Sequence, residues 1–178
     1  LVSPQRGRGT FVTDVPATDR WLKVETSLDD LAEVYRDTRP QILNLEEARR
    51  MPTLTAADGT PAQDYAYMRR VHVRDGRPYC VIAIHLAQDI YARAPQRFRR
   101  QTVIPLLQEL SGVRIARARQ TLTIGTADFE VAGHLQVPVN SPVAEVRRVF
   151  NDARNRVIYL GEVIYRGDFV HLEMDLKP

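Results

Sequence analysis

The stretch DYAYMRRVHVRDGRPYCVIAIHL, residues 64–86, decides the fold prediction because it has the pattern of two strands joined by a tight turn. Polar and apolar residues alternate before the turn, and a mostly apolar run follows it. Asp75-Gly76, between the two runs, is typical of a short hairpin turn. Met68, Arg70 and His72 fall on one face of the first strand, since strand side chains alternate between faces. The stretch therefore predicts an antiparallel hairpin with an arginine and a histidine on the same face.

The length of the turn decides which residues of the second strand lie beside Arg70. A two-residue loop predicts that Tyr79, Val81 and Ala83 lie beside Arg70. A three-residue loop, with Gly76 in the left-handed position of a bulge, predicts Cys80, Ile82 and Ile84 instead. The residues of the hairpin alone leave both registers open.

Outward from this hairpin, helices and further strands are predicted on both sides. Helices are expected after the caps Ser27, Thr102 and Thr126, with a short one over 88–93. Strands are expected over 41–48, 114–124, 142–150, 157–166 and 169–176, with Gly167-Asp168 turning the last pair into a hairpin. Antiparallel strands joined by hairpins, with helices in the connections, predict an α+β fold with one main antiparallel sheet. We expect the helices to cover one face of that sheet.

Composition limits the class of protein. The chain has 178 residues and a formal net charge of +3, which suits one domain, or one domain with an appendage. Its single cysteine, Cys80, excludes an internal disulfide and fits a reducing compartment. No run approaches the roughly 20 apolar residues of a membrane-spanning helix, and the first residues lack the apolar region that is typical of a signal peptide. A cytoplasmic protein without membrane association is expected.

The sequence carries no motif for a metal or a cofactor. Its four histidines are scattered, without HExxH or CxxC spacing, and no glycine-rich phosphate loop or GxSxG elbow occurs. Cys80 lies in an apolar strand, where a buried, inert thiol is expected rather than a nucleophile. We therefore predict no cofactor and no metal site.

Three groups of residues have a functional interpretation beside a structural one. Arg70 and His72 either form an outward polar face or hold an anion on a cavity wall. The late strand contributes Tyr159, Glu162 and Tyr165, which are either core tyrosines with one solvated carboxylate or ligand contacts; Gly161 could mark a bulge that re-aims them. Ser27 and Thr102 either only cap their helices or also direct helix amides at an anionic ligand.

The first residues raise a separate question. RGRGTFVTDVP, residues 6–16, places two arginines and two glycines ahead of a β-prone Thr-Phe-Val run. Such a basic hairpin tip has no predicted element before it to pair with. We interpret it as the last strand of a domain that precedes this chain.

GRGTFV, residues 7–12, resembles the wing strand that closes the winged helix-turn-helix of GntR-type bacterial repressors. The remainder resembles the effector-binding domain of their HutC subfamily, the chorismate-lyase-like UTRA domain. The order of several motifs carries this resemblance: an R-x-x-x-x-D-G-x-P hairpin (70–78), a capped helix ending in glycine (102–112), an A-D-x-E helix before a Leu-x-Val-Pro turn (127–138), a V-R-R-V-F strand (146–150) and Y-R-G-D (165–168).

The resemblance implies two parts: a remnant of the wing and linker over 1–16, and an effector-binding and dimerisation domain over 17–178. It implies a cytoplasmic, homodimeric transcriptional regulator of the repressor type, which contacts DNA only through an N-terminal domain that is missing here. The effector would be a small anionic metabolite such as a carboxylate or phosphate. The implied ligand-binding residues are Ser27, Arg70, His72, Ile82, Thr102, Tyr159, Glu162 and Tyr165.

Two of these positions refine the expected ligand. His72 stands where many members have a second arginine, which implies a weaker and pH-dependent grip on an anion. Ile82 stands where sugar-binding members have a glutamate, which implies a more apolar effector. A cavity shared by Ile82 and Arg70 also favours the three-residue loop.

The resemblance leaves an enzyme as the alternative function. Chorismate lyase has a similar fold, and its chemistry needs a carboxylic acid over the substrate with arginines on the substrate's carboxylates. Glu162 with Arg70 and Arg119 could supply such a set. The wing-like segment favours the regulator, which is not an enzyme. A module that only dimerises is a third interpretation.

Overall fold

The computed structural model describes residues 2–5, 9–12, 22–23, 27–38 and 41–171. Within these residues the helices are α1 (Leu28–Thr38), α2 (Gln88–Tyr91), α3 (Pro95–Arg100), α4 (Val103–Glu109) and α5 (Phe129–Leu135). The strands are β1 (Val2–Gln5), β2 (Gly9–Val12), β3 (Leu22–Lys23), β4 (Gln41–Arg49), β5 (Thr60–Pro61), β6 (Tyr65–Arg74), β7 (Arg77–Ala87), β8 (Arg117–Thr126), β9 (Pro142–Asn151), β10 (Arg156–Arg166) and β11 (Val170–His171). None of the described helices is long and apolar enough to span a membrane.

The main sheet has seven of the described strands, in the order β4-β6-β7-β10-β9-β8, with β5 paired to β10 off this path. The neighbours along the path run antiparallel, whereas β5 runs parallel to β10. The predicted α+β fold with one antiparallel sheet is confirmed. β1 and β2 form a separate hairpin, and β3 and β11 form a separate parallel pair.

The two faces of the main sheet are covered differently. One face, here called the Arg70 face, packs against α1–α4 and holds the larger core. The other, here called the Glu162 face, packs in part against α5, where Val131 and Leu135 contact Val71 and Val81. The prediction that the helices cover one face is therefore wrong for α5. The apolar side of α5 is buried against valines of β6 and β7 whose side chains point to the face opposite Arg70.

The central hairpin corrects the predicted turn. Arg74 pairs with Arg77, so the loop has two residues, Asp75 and Gly76, and both adopt positive φ angles. The extra residue that shifts the register lies one step later, because His72 pairs with Cys80 and leaves Tyr79 in a bulge. The predicted three-residue loop is wrong, but Cys80, Ile82 and Ile84 still share the face of Arg70.

Two predicted element ends are also corrected. α5 is capped by Asp128, whose carboxylate accepts the Val131 amide at 2.7 Å, and not by Thr126, which ends β8. The predicted last hairpin is replaced by a 3-10 turn over Gly167–Phe169. The following strand, β11, pairs parallel with β3 rather than with β10. Residues 172–176 of that predicted strand lie outside the described residues.

A buried carboxylate anchors the loop before β5 to the Glu162 face. Asp58 is 1% exposed and accepts hydrogen bonds from Arg147 at 2.9 Å to each carboxylate oxygen. Arg119 donates to it as well, and the Thr55 amide donates at 2.7 Å. The hydrogen bond from Arg147 holds the pKa of Asp58 well below its usual range. The loop is thus tied by one carboxylate to β8 and β9.

Candidate functional site

The candidate site lies in the middle of the Arg70 face, where side chains form rows across β6, β7 and β10. In one row, Arg70 pairs with Ile82, which pairs with Val163. In the next row, His72 pairs with Cys80, which pairs with Tyr165. Because antiparallel partners sit about 5 Å apart, the sheet brings together four residues predicted for the site: Arg70, His72, Ile82 and Tyr165.

Arg70 is a fully buried cation at 0% exposure. Its guanidinium donates to the backbone carbonyls of Phe98 and Gln101, at the end of α3, while its Nε has no hydrogen-bond partner among the described residues. No described carboxylate forms an ion pair with it. Burial lowers its pKa to about 10. A buried guanidinium without a counter-ion is costly, and an anionic ligand would compensate it.

His72 is buried beside Arg70 and is neutral near pH 7. Burial, with a smaller effect from the Arg70 charge, lowers its pKa to about 3. Its Nδ1 lies 3.5 Å from the Tyr79 hydroxyl, and its Nε2 has no described hydrogen-bond partner. Near neutral pH His72 therefore brings no positive charge to the site, which leaves Arg70 as the cation that the predicted pair of anion-binding residues contributes. A neutral imidazole here can still donate or accept one hydrogen bond.

Tyr159 supplies a third buried polar atom without a partner. Its side chain is 0% exposed, and its hydroxyl makes no hydrogen bond to a described residue. The charges of Arg148 and Arg70 both act on this hydroxyl. A Cβ atom on Gly161 would lie 2.2 Å from it, so Gly161 gives space to the phenol. The predicted bulge at Gly161 is replaced by one between Val157 and Tyr159.

Arg148 is a further buried residue of this face, and it is not among the ligand-binding residues that the sequence predicts. It is 4% exposed, and its guanidinium donates to the Tyr165 hydroxyl at 3.2 Å and to Gln120 at 2.6 Å. The Tyr165 hydroxyl also lies 2.8 Å from that of Tyr35. Strand alternation could have identified Arg148, because Val146 and Phe150 on either side of it are core residues.

The two predicted helix caps behave differently. Ser27 caps α1: its hydroxyl accepts the Asp30 amide at 3.1 Å and donates to the Asp30 carboxylate at 2.5 Å. Thr102 occupies the position before α4, but its side chain makes no capping hydrogen bond. It follows Gln101, whose carbonyl accepts from Arg70 at 3.2 Å. Thr102 is therefore next to the site, whereas the polar atoms of Ser27 are used within α1.

Glu162 lies on the opposite face of the sheet from the other candidates. Its side chain points to the face opposite its strand neighbours Gly161 and Val163. Its carboxylate is 3.9 Å from the Arg147 guanidinium. It lines a groove of about 460 Å³ together with Arg69, Thr121, Thr123 and Glu145. The prediction that Glu162 acts beside Tyr159 and Tyr165 is corrected, because residues three apart on a strand point to opposite faces.

The buried histidines predict that acid destabilises the fold. His72 and His85 have pKa values lowered to about 3 and about 4, mainly by burial. The unfolded chain binds their protons below about pH 6.5, and the folded chain does not until lower pH. Stability is therefore lost as the pH falls from 6.5 toward these values. Between pH 6.5 and 5, urea unfolding should show a loss of about 1–2 kcal/mol per histidine.

Variants test whether His72 and His85 cause this loss of stability in acid. His72→Gln and His85→Gln should each flatten the decline of stability with acid, and the double variant should remove most of it. His134→Gln on α5, a partly exposed histidine, serves as the matched control and should keep the wild-type slope. An unchanged slope in the double variant would contradict the assignment.

Comparison with known proteins finds a family model that matches most of the chain. The family model described as the UTRA domain matches residues 35–171. This range includes β4–β10, all the side chains assigned to the Arg70 face above, and α2–α5. No curated protein matches the chain.

Solved structures of similar fold include proteins described as regulators. A possible transcriptional regulator, YydK from Bacillus subtilis, has a TM-score of 0.70 at 18% identity, over 99% of this chain and 76% of that chain. The effector domain of PhnF from Mycobacterium smegmatis has a TM-score of 0.68 at 15% identity, over 88% and 100%. A GntR-family transcriptional regulator from Enterococcus faecalis has a TM-score of 0.61 at 15% identity, over 76% and 99%. At these identities the similarity establishes the fold.

Proposed function

Because the chain belongs to the UTRA domain family, we propose that it is the effector-binding domain of a bacterial transcriptional regulator of the GntR family, in the HutC subfamily. The observation that carries the proposal is the group of buried polar atoms on the Arg70 face. Arg70 Nε, His72 Nε2 and Tyr159 Oη are buried and lack described partners, and the strand register puts all three side chains on one face of the sheet. Buried polar atoms without partners are rare in folded proteins, and a bound ligand would satisfy them.

The effector we propose is a small anion with an apolar part. The guanidinium of Arg70 offers the charge for a carboxylate or phosphate. His72 and Tyr159 offer neutral hydrogen bonds. The aliphatic side chain of Ile82, opposite Arg70 in the register, offers an apolar contact. We place Tyr165 and Thr102 at the border of this site, and we leave Glu162 out of it because it lies on the other face.

The arrangement does not favour the alternative, a chorismate-lyase-like enzyme. That interpretation needs Glu162, Arg70 and Arg119 around one substrate. Glu162 and Arg119 lie on the opposite face from Arg70, and Arg119 is bound to the carboxylate of Asp58. The proposed acid and the proposed anion-binding arginine are thus separated by the sheet. Binding without turnover is the function that this geometry supports.

A thermal-shift screen tests this function directly. The chain is mixed with small carboxylates and phosphates, chorismate among them, and pyruvate release from chorismate is measured in parallel. A ligand at about 100 times its dissociation constant adds about 2.7 kcal/mol, which corresponds to roughly 5–11 °C for a domain of this size. We expect a selective shift of this size and no pyruvate. Pyruvate release would establish the enzyme instead.

We propose further that a DNA-binding domain precedes this chain in the whole regulator and that the regulator represses transcription. The basic residues Arg6 and Arg8 lie outside the described residues, but the strands beside them, β1 and β2, form an antiparallel hairpin. A hairpin at this point supports the interpretation of residues 1–16 as wing and linker. The effector would then shift the population of dimer arrangements that hold the DNA-binding domains.

We also propose that two copies of the chain form a dimer by antiparallel pairing of β8. This ten-residue strand is an edge of the main sheet, and Ile124 on it is 69% exposed. A long exposed edge strand tends to pair with another chain, and a two-fold axis makes the contact self-complementary. Light scattering should give twice the protomer mass of 20.3 kDa for the wild type and for Leu43→Glu on the other edge, and the protomer mass for Ile124→Glu.

A monomeric wild type would contradict the dimer proposal. A dimer that Ile124→Glu leaves intact and Leu43→Glu breaks would instead place the interface at β4. Both substitutions introduce a carboxylate at an exposed apolar position, so their effects on folding are matched.

A further inference from the structure

A second cavity lies at the end of the sheet where the β9–β10 hairpin turns. Its volume is about 690 Å³, within the range of small-molecule sites. Four separate segments form its walls: β5 (Thr60–Pro61), the region of α2, the turn after α4 and the loop between β9 and β10. The convergence of four segments makes this a defined concave site rather than a gap under one loop.

The charges around this cavity are unbalanced. Four arginines and two aspartates line it. Arg156 is paired with both acids, at 3.0 Å to Asp89 and at 3.0 Å to Asp152. Asp152 also accepts the amides of residues 154 and 156, so its oxygens are occupied. The two acids thus share one arginine, and the lining as a whole still carries more positive than negative charge.

The other three arginines are left without an acidic partner among the described residues. Arg93 donates to the carbonyl of Ser111, which holds its side chain across the turn at Gly112, 3.6 Å from where a Cβ of that glycine would lie. Arg114 and Arg154 are exposed and form no ion pair with a described carboxylate. The rim therefore presents three guanidinium groups to whatever enters.

The base of the cavity is apolar. Ile90 and Ile158 belong to the main core at 5% and 1% exposure, and Val113 and Pro61 complete the lining. A fully hydrated ion such as phosphate gains nothing from such a base. A carboxylate with a hydrocarbon part could bury that part on the isoleucines and leave its charge at the arginine rim.

This cavity is distinct from the Arg70 site. The Arg70 guanidinium contacts Gln101, just before α4, whereas the cavity is lined by Gly112 and Val113, just after it. The seven residues of α4 separate the two by roughly 10 Å along the helix axis. A molecule in the cavity would therefore contact one end of α4 while the effector proposed above sits at the other end.

We propose that this cavity is a second binding site, specific for a small amphiphilic carboxylate, held by Arg93, Arg114 and Arg154 over the apolar base formed by Ile90 and Ile158. The proposal does not depend on the function of the Arg70 site. The two can fail separately, because they use different residues.

Octanoate is the probe we choose, with octanol and inorganic phosphate as the uncharged and the non-apolar comparisons. In two-dimensional amide NMR spectra of the chain, octanoate should shift the amides of 112–114 and 152–156. Arg114→Gln combined with Arg154→Gln should weaken this binding at least about fivefold, since each exposed charge contributes modestly. Arg77→Gln, an exposed arginine of the β6–β7 turn, is the matched control and should bind like the wild type.

Several results would overturn the proposal. These are shifts confined to residues around Arg70, octanol binding as tightly as octanoate, phosphate binding as tightly as octanoate, or an unchanged affinity in the double variant. The NMR spectra of the variants show at the same time that each is folded. Arg70→Met should leave octanoate binding at this cavity unchanged. This variant therefore distinguishes binding at the cavity from binding at the Arg70 site.

Discussion

Replacing Asp58 with alanine should destabilise the fold by about 3 kcal/mol at pH 7. Asp58 is buried and accepts hydrogen bonds from Arg119, Arg147 and Thr55. Its removal leaves two arginines without their shared carboxylate, and breaking a buried ion pair typically costs about 3–5 kcal/mol. The lower value applies because the arginine side chains are 33% and 27% exposed. Urea unfolding measures the loss, and the melting temperature should fall by roughly 6–12 °C.

Glu109→Ala is the matched control for this variant. Glu109 pairs with Arg97 at 2.6 Å, but both side chains are almost half exposed, so its loss should cost less than about 1 kcal/mol. Equal effects of the two variants would show that the Asp58 network contributes no more than a surface ion pair.

The same carboxylate predicts a response to strong acid. The pKa of Asp58 is lowered, first by its hydrogen bond from Arg147, so its stabilisation is complete above the unfolded value near pH 4. It is lost as the pH falls through the lower folded value. Between pH 4 and pH 2, the wild type should therefore lose more stability than Asp58→Ala does.

Arg70→Met should remove effector binding while leaving the fold as stable as the wild type, within about 1 kcal/mol, or more stable. Methionine has a similar length and carries no charge, so the cost of burying an uncompensated guanidinium disappears. The hydrogen bonds to Phe98 and Gln101 are lost in exchange. Urea unfolding of both proteins without ligand checks the expectation. A loss above about 3 kcal/mol would identify Arg70 as a structural residue.

Strand alternation predicted much of the candidate site. It placed Arg70 and His72 on one face, and the structure confirms this placement. The same rule separates Glu162 from Tyr159 and Tyr165. Each tyrosine is three positions from Glu162, and side chains three positions apart on a strand point to opposite faces. It also places Arg148 inward. These two assignments were available from the sequence and required only that the period of two be followed along each strand.

Other features depend on contacts that a local pattern does not contain. The bulge at Tyr79 sets the register of the hairpin, and the Tyr79 ring stacks on Tyr165 and Phe169, far along the chain. Asp58 lies in a loop, and its arginine partners lie 61 and 89 positions away in the sequence. Such long-range partners are determined by the packing of the whole sheet, and so the register and the anchored loop were not predicted.

The measurement that tests the central claim most directly is isothermal titration of the best anion from the thermal-shift screen into the wild type and Arg70→Met. Removing one partner of a buried, hydrogen-bonded charge pair costs about 2–5 kcal/mol. We therefore predict an affinity at least about 30-fold weaker in the variant, with the fold intact. Equal affinity in the two proteins would contradict the claim that the Arg70 face of this domain binds the effector.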